Sequence, residues 1–356
     1  MILQLSILDP YFKLKETHLS SDYEIDSDYL SNNPSKFITI DNNAANLGDY
    51  VLAKEQGNSH FLYIGIIETI DADTDTINAR FAYELFDGDI IVTNKSGASY
   101  EQHLINLMSL YAGSSALSLF NLANISKTSD TPFAVTTTDG IKTYNLLSYL
   151  IRGFKLHGVV FKFTGITVDS AGAAPRYIPQ FEIGSVNRSI QLKDNSYQFV
   201  NWTVQDSRLT RGYVNELRIV DKSSNNMEAP KLLATYYLQT DGTITPTLNA
   251  NVLQPTKVQD YLYDLTATDK PTYLSVAQSN LTGNVYSHQI IFKILRKNNM
   301  IDVNDLEIGL LSNIVYNHVA YRSILSGYSF SSSDDYVTLI FGNIRNNLND
   351  LLDDTN

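Results

Sequence analysis

The 356-residue chain contains no cysteine and a single tryptophan. Without cysteine there is no disulfide, no thiolate metal site and no thiol nucleophile, so the chain can fold in a reducing cytoplasm and later work outside a cell without redox dependence. Basic charge is scarce as well: 26 Lys and Arg stand against 38 Asp and Glu, a net charge of −12. No basic cluster is present to release counterions from a phosphate backbone, which excludes a dedicated DNA binder. Long hydrophobic runs are missing too. The opening MILQLSILDP is too short to span a bilayer and has neither a basic lead nor a small-residue cleavage site, so it reads as a first strand. The chain also lacks a GxSxG elbow, a P-loop, a GxGxxG turn and an HExxH pair.

What is abundant is aromatic. The 23 Tyr and 15 Phe sit among β-branched residues in short runs, and Ala- or Leu-rich helical stretches are few, which points to a mainly β protein with a smaller α+β part. The length exceeds what one core usually supports. Strand-like runs at 2–8, 36–40, 50–54, 61–70, 76–82 and 89–93 define a first antiparallel barrel over 1–98. Helical spacing in SYEQHLINLMSLYA, opened by a Ser99/Gln102 capping pair, and in TYNLLSYLIRG, with Gly153 as its stop, marks a mixed α/β part over 99–182. Strand texture returns at 196–204, 213–220, 288–295, 312–316, 319–325 and 336–341. A second barrel is therefore expected from 183–222 and 286–356, closing with a short helix over 343–352. A β-rich insertion over 223–285 interrupts it, with an Asp241-Gly242 hairpin turn inside.

The two strand sets echo each other. In HFLYIGIIETIDADTDTINARFAYELF (60–86) and VAYRSILSGYSFSSSDDYVTLIFG (319–342), an aromatic-led strand reaches an acidic turn and returns through a second strand. Gly48 precedes Tyr63 by 15 residues, and Gly309 precedes Tyr321 by 12. Gly65 and Gly327 lie inside the long strands and complete the six structural markers. Any two antiparallel hairpins can read alike, so the echo alone admits both duplication and coincidence.

The chemical candidates are thin. Asp71, Asp73 and Asp75 resemble the start of a calcium loop, but Thr76 stands where glycine is needed and Ala82 where glutamate is needed, which leaves a solvated turn. The six histidines are scattered with no i, i+4 pair. No catalytic residue, cofactor or metal is therefore expected. Tyr236, Tyr237, Tyr261, Tyr263 and Tyr273 crowd the insertion. Packing is the ordinary role of such residues in a sheet protein, and contact with a partner is the functional alternative.

Taken in order, GDYVLAKEQGNSHFLYIGIIETIDADTDTINARFAYELFDGDIIV (48–92), TYNLLSYLIRGFKLHGVVFKF (143–163), ATYYLQTDGTIT (234–245) and HQIIFKILRKNNMIDVNDLEIGLLSNIVYNHVAYRSILSGYSF (288–330) with its FGNIRNNL tail resemble the tail-hub proteins of phage baseplates. The resemblance implies two similar barrels, a lateral domain and an insertion. It further implies a homotrimer around an axial channel, made in the host bacterial cytoplasm and placed in the virion at the tail tip. Implied partners are the distal tail protein, the tape-measure protein and receptor-binding or tip proteins, with transient, nonspecific passage of DNA and no membrane span. An enzyme acting on cell-wall or capsular polysaccharide and a monomeric carbohydrate-binding β-protein are the readings from other classes.

Overall fold

A computed structural model describes residues 1–40, 44–92, 99–112, 125–133, 142–170, 175–193, 199–206, 213–224, 228–254, 256–268, 270–297 and 301–344. In chain order, the strands of the first part are β1 (Leu3–Leu8), β2 (Leu14–Ser20), β3 (Asp22–Asp26), β4 (Ser35–Ile38), β5 (Tyr50–Glu55), β6 (Phe61–Asp71), β7 (Thr76–Phe81) and β8 (Asp89–Val92). Helix α1 (Tyr100–Ala112), β9 (Ile125–Lys127), β10 (Lys142–Asn145), α2 (Leu146–His157), β11 (Val160–Asp169) and β12 (Arg176–Gly184) follow. Then come β13 (Ser189–Lys193), β14 (Phe199–Asp206), β15 (Glu216–Asp221), β16 (Leu232–Leu238), β17 (Ile244–Thr245), β18 (Val258–Tyr263) and α3 (Tyr273–Leu281). The last strands are β19 (His288–Leu295), β20 (Leu311–Tyr316), β21 (Val319–Ser331) and β22 (Tyr336–Phe341).

One large sheet carries both strand sets. Its first part runs β2-β1-β5-β6-β7-β4-β3, and its second runs β13-β20-β21-β22-β19-β14. Strands β2 to β7 and strands β13, β14, β19, β20, β21, β22 thus occur in the same order along the chain and, with β1 as the extra member, in the same order across the sheet. Directions agree as well. β13 is parallel to β20, and β2, antiparallel to β1 which is antiparallel to β5, is parallel to β5.

The correspondence extends to single residues. Gly48 and Gly309 have φ of 85° and 93°, a backbone region that side chains disfavour. The Gly48 N–H donates to the Ile67 carbonyl (2.9 Å) and the Ile67 N–H to the Asp49 carbonyl (2.8 Å). Likewise the Gly309 N–H donates to the Leu325 carbonyl and the Leu325 N–H to the Leu310 carbonyl, both at 2.8 Å. Counting the ladders from these turns sets Tyr63 opposite Ala53 and Tyr321 opposite Ile314 at the same register. One residue bulges out between Ile67 and Thr69, and one between Leu325 and Gly327, again at the same place. Phe37 and Phe292, both fully buried, occupy equivalent positions on β4 and β19. The unequal spacings noted in the sequence arise in the turns: residues 56–60 join β5 to β6, whereas Asn317 and His318 alone join β20 to β21.

Packing explains why these strands read as continuous apolar runs. In β5, Val51 and Ala53 face the cluster shared by the two units, while Tyr50 and Leu52 face the cluster formed with the lateral and inserted parts. A strand covered on both faces has no polar side to show. The two units meet where the end of β21 pairs with β3, Ser329 opposite Asp26, Phe330 opposite Ile25 and Ser331 opposite Glu24. Arg296 holds this seam, donating to the Ser331 carbonyl, to the Asp334 carbonyl (2.6 Å) and to the Tyr23 hydroxyl (3.3 Å), with its guanidinium over the Phe330 ring.

Several sequence expectations are corrected. The strand at 213–220, assigned above to the second barrel, is β15 of a separate sheet ordered β17-β16-β15-β18, where Leu217 and Ile219 are buried against the rest of the insertion. Strand β8 pairs with β10, not with the first set. Helix α2 runs past Gly153 and stops at Gly158, whose φ is 64°. Gly153 instead makes room for Tyr100, since a Cβ there would lie 2.3 Å from that ring. PTYLSVAQ, read as part of a β-rich insertion, opens α3, capped by the Thr272 hydroxyl accepting from the Ser275 N–H. Most of the closing helix expected over 343–352 falls outside the described residues.

The two glycine turns differ in their surroundings, and this sets a prediction. A Cβ at Gly48 meets nothing within 4 Å, whereas one at Gly309 would lie 2.7 Å from Val160 and 2.9 Å from Val186. Gly48→Ala is expected to cost about 1 kcal/mol from backbone strain alone, and Gly309→Ala about 2–4 kcal/mol because overpacking is added. Urea denaturation of the two variants checks the order.

Candidate functional site

The markers read from the sequence divide into turn, core and contact positions. Tyr63 is fully buried; its hydroxyl donates to the Ala79 carbonyl (2.7 Å), and burial pushes its pKa up. Tyr321 is only half-buried and stacks edge-on to His288. Gly65 leaves space for the Tyr63 ring, 2.6 Å from where its Cβ would be. Gly327 lies against Asp28 of the first unit, 3.1 Å from the same notional atom. These residues shape the two units and their joint; none of them reaches a common pocket except through Tyr328 beside Gly327.

The five insertion tyrosines do not form an exposed platform. Tyr263 is buried, donates its hydroxyl to the Pro271 carbonyl (2.6 Å) and meets Tyr273 edge-on at 4.8 Å. Tyr236, Tyr261 and Tyr273 are partly buried against the core, and Tyr237 is half-buried on the opposite side of β16. Exposed apolar side chains of the insertion are instead Leu232, Val258 and Leu262 on its strands, with Leu248 and Leu274 beyond them. Sequence reading missed them because single aliphatic residues on strands carry no motif.

Among the described residues no group of three His, Asp or Glu side chains converges as a metal site. The Asp71 turn is a local hydrogen-bonded loop: Asp71 accepts from the Asp73 N–H (3.0 Å) and the Thr74 hydroxyl (2.8 Å), bonds that lower its pKa. His103 and His157 both pack against the Tyr100 ring, at 6.4 and 4.5 Å between centroids. His103 meets the Tyr149 hydroxyl at 3.0 Å, and His288 meets the Ser323 hydroxyl at 2.6 Å.

A cleft of about 290 Å³ opens where the first unit, β11 and the 303–308 segment meet. Phe61, Phe81, Tyr83 and Phe163 line it, with Tyr29 and Tyr328 behind. At its rim Lys162 bridges Glu307 and Glu182 (3.2 Å from Glu182), and Arg188 lies 3.8 Å from Glu307. Both basic side chains of the rim are thus held by carboxylates, and the cleft can bind or transmit position between parts. Nothing in the sequence pointed to it, because its walls come from separated stretches scattered between Ser27 and Tyr328.

The lateral part holds a buried ionic site. Glu101 is fully buried; burial opposes its charge, yet the hydroxyls of Ser129 and Thr131 (both 2.6 Å) and the Thr131 N–H (2.7 Å) outweigh this and keep its pKa low. His157 is held neutral by burial, its pKa lowered from 6.5 to about 4.

No protein-family model matches this sequence, and no curated protein matches it in a sequence search. Comparison with solved structures does find likeness. The chain is similar to a protein of the phage P2 baseplate in its activated conformation with Ca, at a TM-score of 0.51 and 13% identity, covering 97% of this chain and 100% of that one. It is similar to the tail protein of Neisseria meningitidis MC58 at a TM-score of 0.54 and 11% identity, covering 96% of each. The chain has the hub-like fold of baseplate and tail proteins.

Acid should loosen the lateral part first. A histidine whose folded pKa is depressed contributes stability that is present above pH 6.5 and lost as the pH falls toward 4. Glu101, also depressed, adds loss in the same direction as it protonates. The thermal midpoint is expected to fall over this range, and His157→Gln to flatten the fall between pH 6.5 and 4; calorimetry across that range checks it.

Proposed function

We propose that the chain is a structural hub of a phage tail tip or baseplate. Three copies surround an axial channel; the two repeated units of each copy are rolled as barrels, so three chains present six similar surfaces to a six-fold tail tube and three to the adhesion apparatus. The lateral part (β8 to β12 with α1 and α2) and the insertion (β15 to β18 with α3) stand outside this ring. The distal tail protein and the tape-measure protein are the partners on the tube side, and receptor-binding or tip proteins those on the other.

One observation carries this reading: the same order and direction of six strands, the same glycine turn and the same bulge occur twice in one chain. A duplicated unit gives a trimer six quasi-equivalent positions, which is what a three-to-six junction needs. Likeness to baseplate and tail proteins over nearly the whole chain supports it. The deficit of basic residues suits a wall past which DNA slides, since it offers phosphates no counterion-release gain. The hub is a conduit and joint in the virion, without turnover; its buried acid is bound by hydroxyls and its cleft charges are paired with each other.

Light scattering on the purified protein is expected to give three times the chain mass, and DNA to pass through a column of immobilised protein unretained even at low salt. Clearing of Gram-positive cell walls in a zymogram would replace this reading with that of a polysaccharide-degrading enzyme, and glycan binding by a monomer would replace it with that of a carbohydrate-binding protein.

A further inference from the structure

The cleft runs along strand edges rather than across a sheet face. Side chains alternate between the two faces of a strand, yet the successive residues Phe161, Lys162, Phe163 and Thr164 of β11 all line it. A space that touches all four lies beside the strand. That side of β11 is open: β12 is its one strand neighbour among the described residues. The Phe161 N–H donates to the Tyr29 hydroxyl (3.1 Å) and so points away from β12. Two residues on, at the next equivalent place in the ladder, the Phe163 N–H and carbonyl point the same way. Beyond the bulge at Thr164, β11 continues to Asp169 along this open side, with Thr167 and Val168 exposed. Across the cleft, His60, Phe61 and Leu62 also line it in succession, and β6 pairs with β7 only from Gly65 onward.

We infer that an extended segment of another protein adds as a strand to the open edge of β11 and seats a tyrosine or tryptophan ring in the cleft. This contact goes beyond the hub reading and stands apart from it.

The walls select the ring. Phe61 and Phe163 meet edge-on, with centroids 6.5 Å apart, and Phe81 and Tyr83 continue the lining. Aromatic surfaces of this kind favour a further ring. The volume of about 290 Å³ reaches the lower end of the usual range for ligand pockets, about 300 Å³. Lys162 and Arg188 are already held by carboxylates, so the rim asks for no charge on the guest. It does ask for a donor. The Asn304 amide is oriented by its Nδ2, which donates to Asp302 Oδ1 (3.0 Å), and its own Oδ1 is left buried without a partner. An unpaired buried acceptor is costly, and a phenol O–H or indole N–H brought in with the ring relieves it.

The open edge selects a strand as the carrier of that ring, since it offers main-chain partners that a free aromatic molecule cannot use. Apart from its single bulge, β11 has little of what usually guards an edge: no proline, and no lysine past Lys162. The chain's own residues 345–356 contain no aromatic side chain and cannot supply the ring.

The test titrates the full chain with a blocked heptapeptide, Thr-Val-Thr-Tyr-Thr-Val-Thr, by calorimetry. One peptide per chain is expected to bind. Exchanging its Tyr for Phe should weaken binding about 3- to 10-fold, the loss of one hydrogen bond. N-methylation of alternate residues along one edge of the peptide should abolish binding, and methylation along the opposite edge should leave it. In Asn304→Ala the Tyr and Phe peptides should bind equally; a preference for Tyr that survives there would place the ring elsewhere and overturn the inference. The methylation and ring comparisons use the wild-type chain, so they decide the matter even where the variant misfolds. Free p-cresol binding as tightly as the peptide would give the cleft to small aromatic molecules and overturn the strand. Equal binding of both methylated peptides, or no binding up to about 1 mM peptide, would overturn it as well. None of these results bears on the three-chain mass expected of the hub.

Discussion

Antiparallel pairing of β21 with β3 is the contact on which the molecule depends. It makes one sheet out of two units that would otherwise be separate, and it fixes the turn from one unit to the next. Arg296 and Phe330 lock this joint with a guanidinium that serves two carbonyls, a hydroxyl and an aromatic face at once. The joint thereby fixes the angle between the two units of the chain.

Duplication in this chain is kept in backbone geometry and largely lost in side chains. Where the backbone must adopt a positive φ, glycine stands in both units; where a bulge is required, Glu68 serves in one and Ser326 in the other, since a bulge sets no demand on side-chain type. The units also face different neighbours. Gly309 is roofed by Val160 of the lateral part and by Val186 just after it, while the Gly48 turn is open beside an exposed Leu47. Equivalent positions have thus diverged according to what covers them.

That division explains how much was legible in the sequence. The pairing of Gly48 with Gly309 and of Tyr63 with Tyr321 could be read, because both pairs sit at fixed offsets from strand starts. Mainly β composition and the Asp241-Gly242 turn followed from local chemistry, and the hydrogen bond from the Gly242 N–H to the Gln239 carbonyl (3.0 Å) closes that turn. Sheet membership did not follow: YVNELRIV has the same texture whether it joins the second unit or the insertion, and only long-range pairing decides. Gly153 misled because a glycine needed for close approach to Tyr100 looks the same in sequence as one ending a helix. The cleft was illegible for a related reason. It is assembled from stretches spread between Ser27 and Tyr328, and it uses no residue type that is unusual by itself.

The most direct test is electron microscopy of the assembled particle, averaged without imposed symmetry. Six β-rich densities at one radius around an open axis, alternating between the unit that bears the lateral part and the one with an open Gly48 turn, are the expected result. Three densities at that radius, or two units per chain at different radii, would contradict the account.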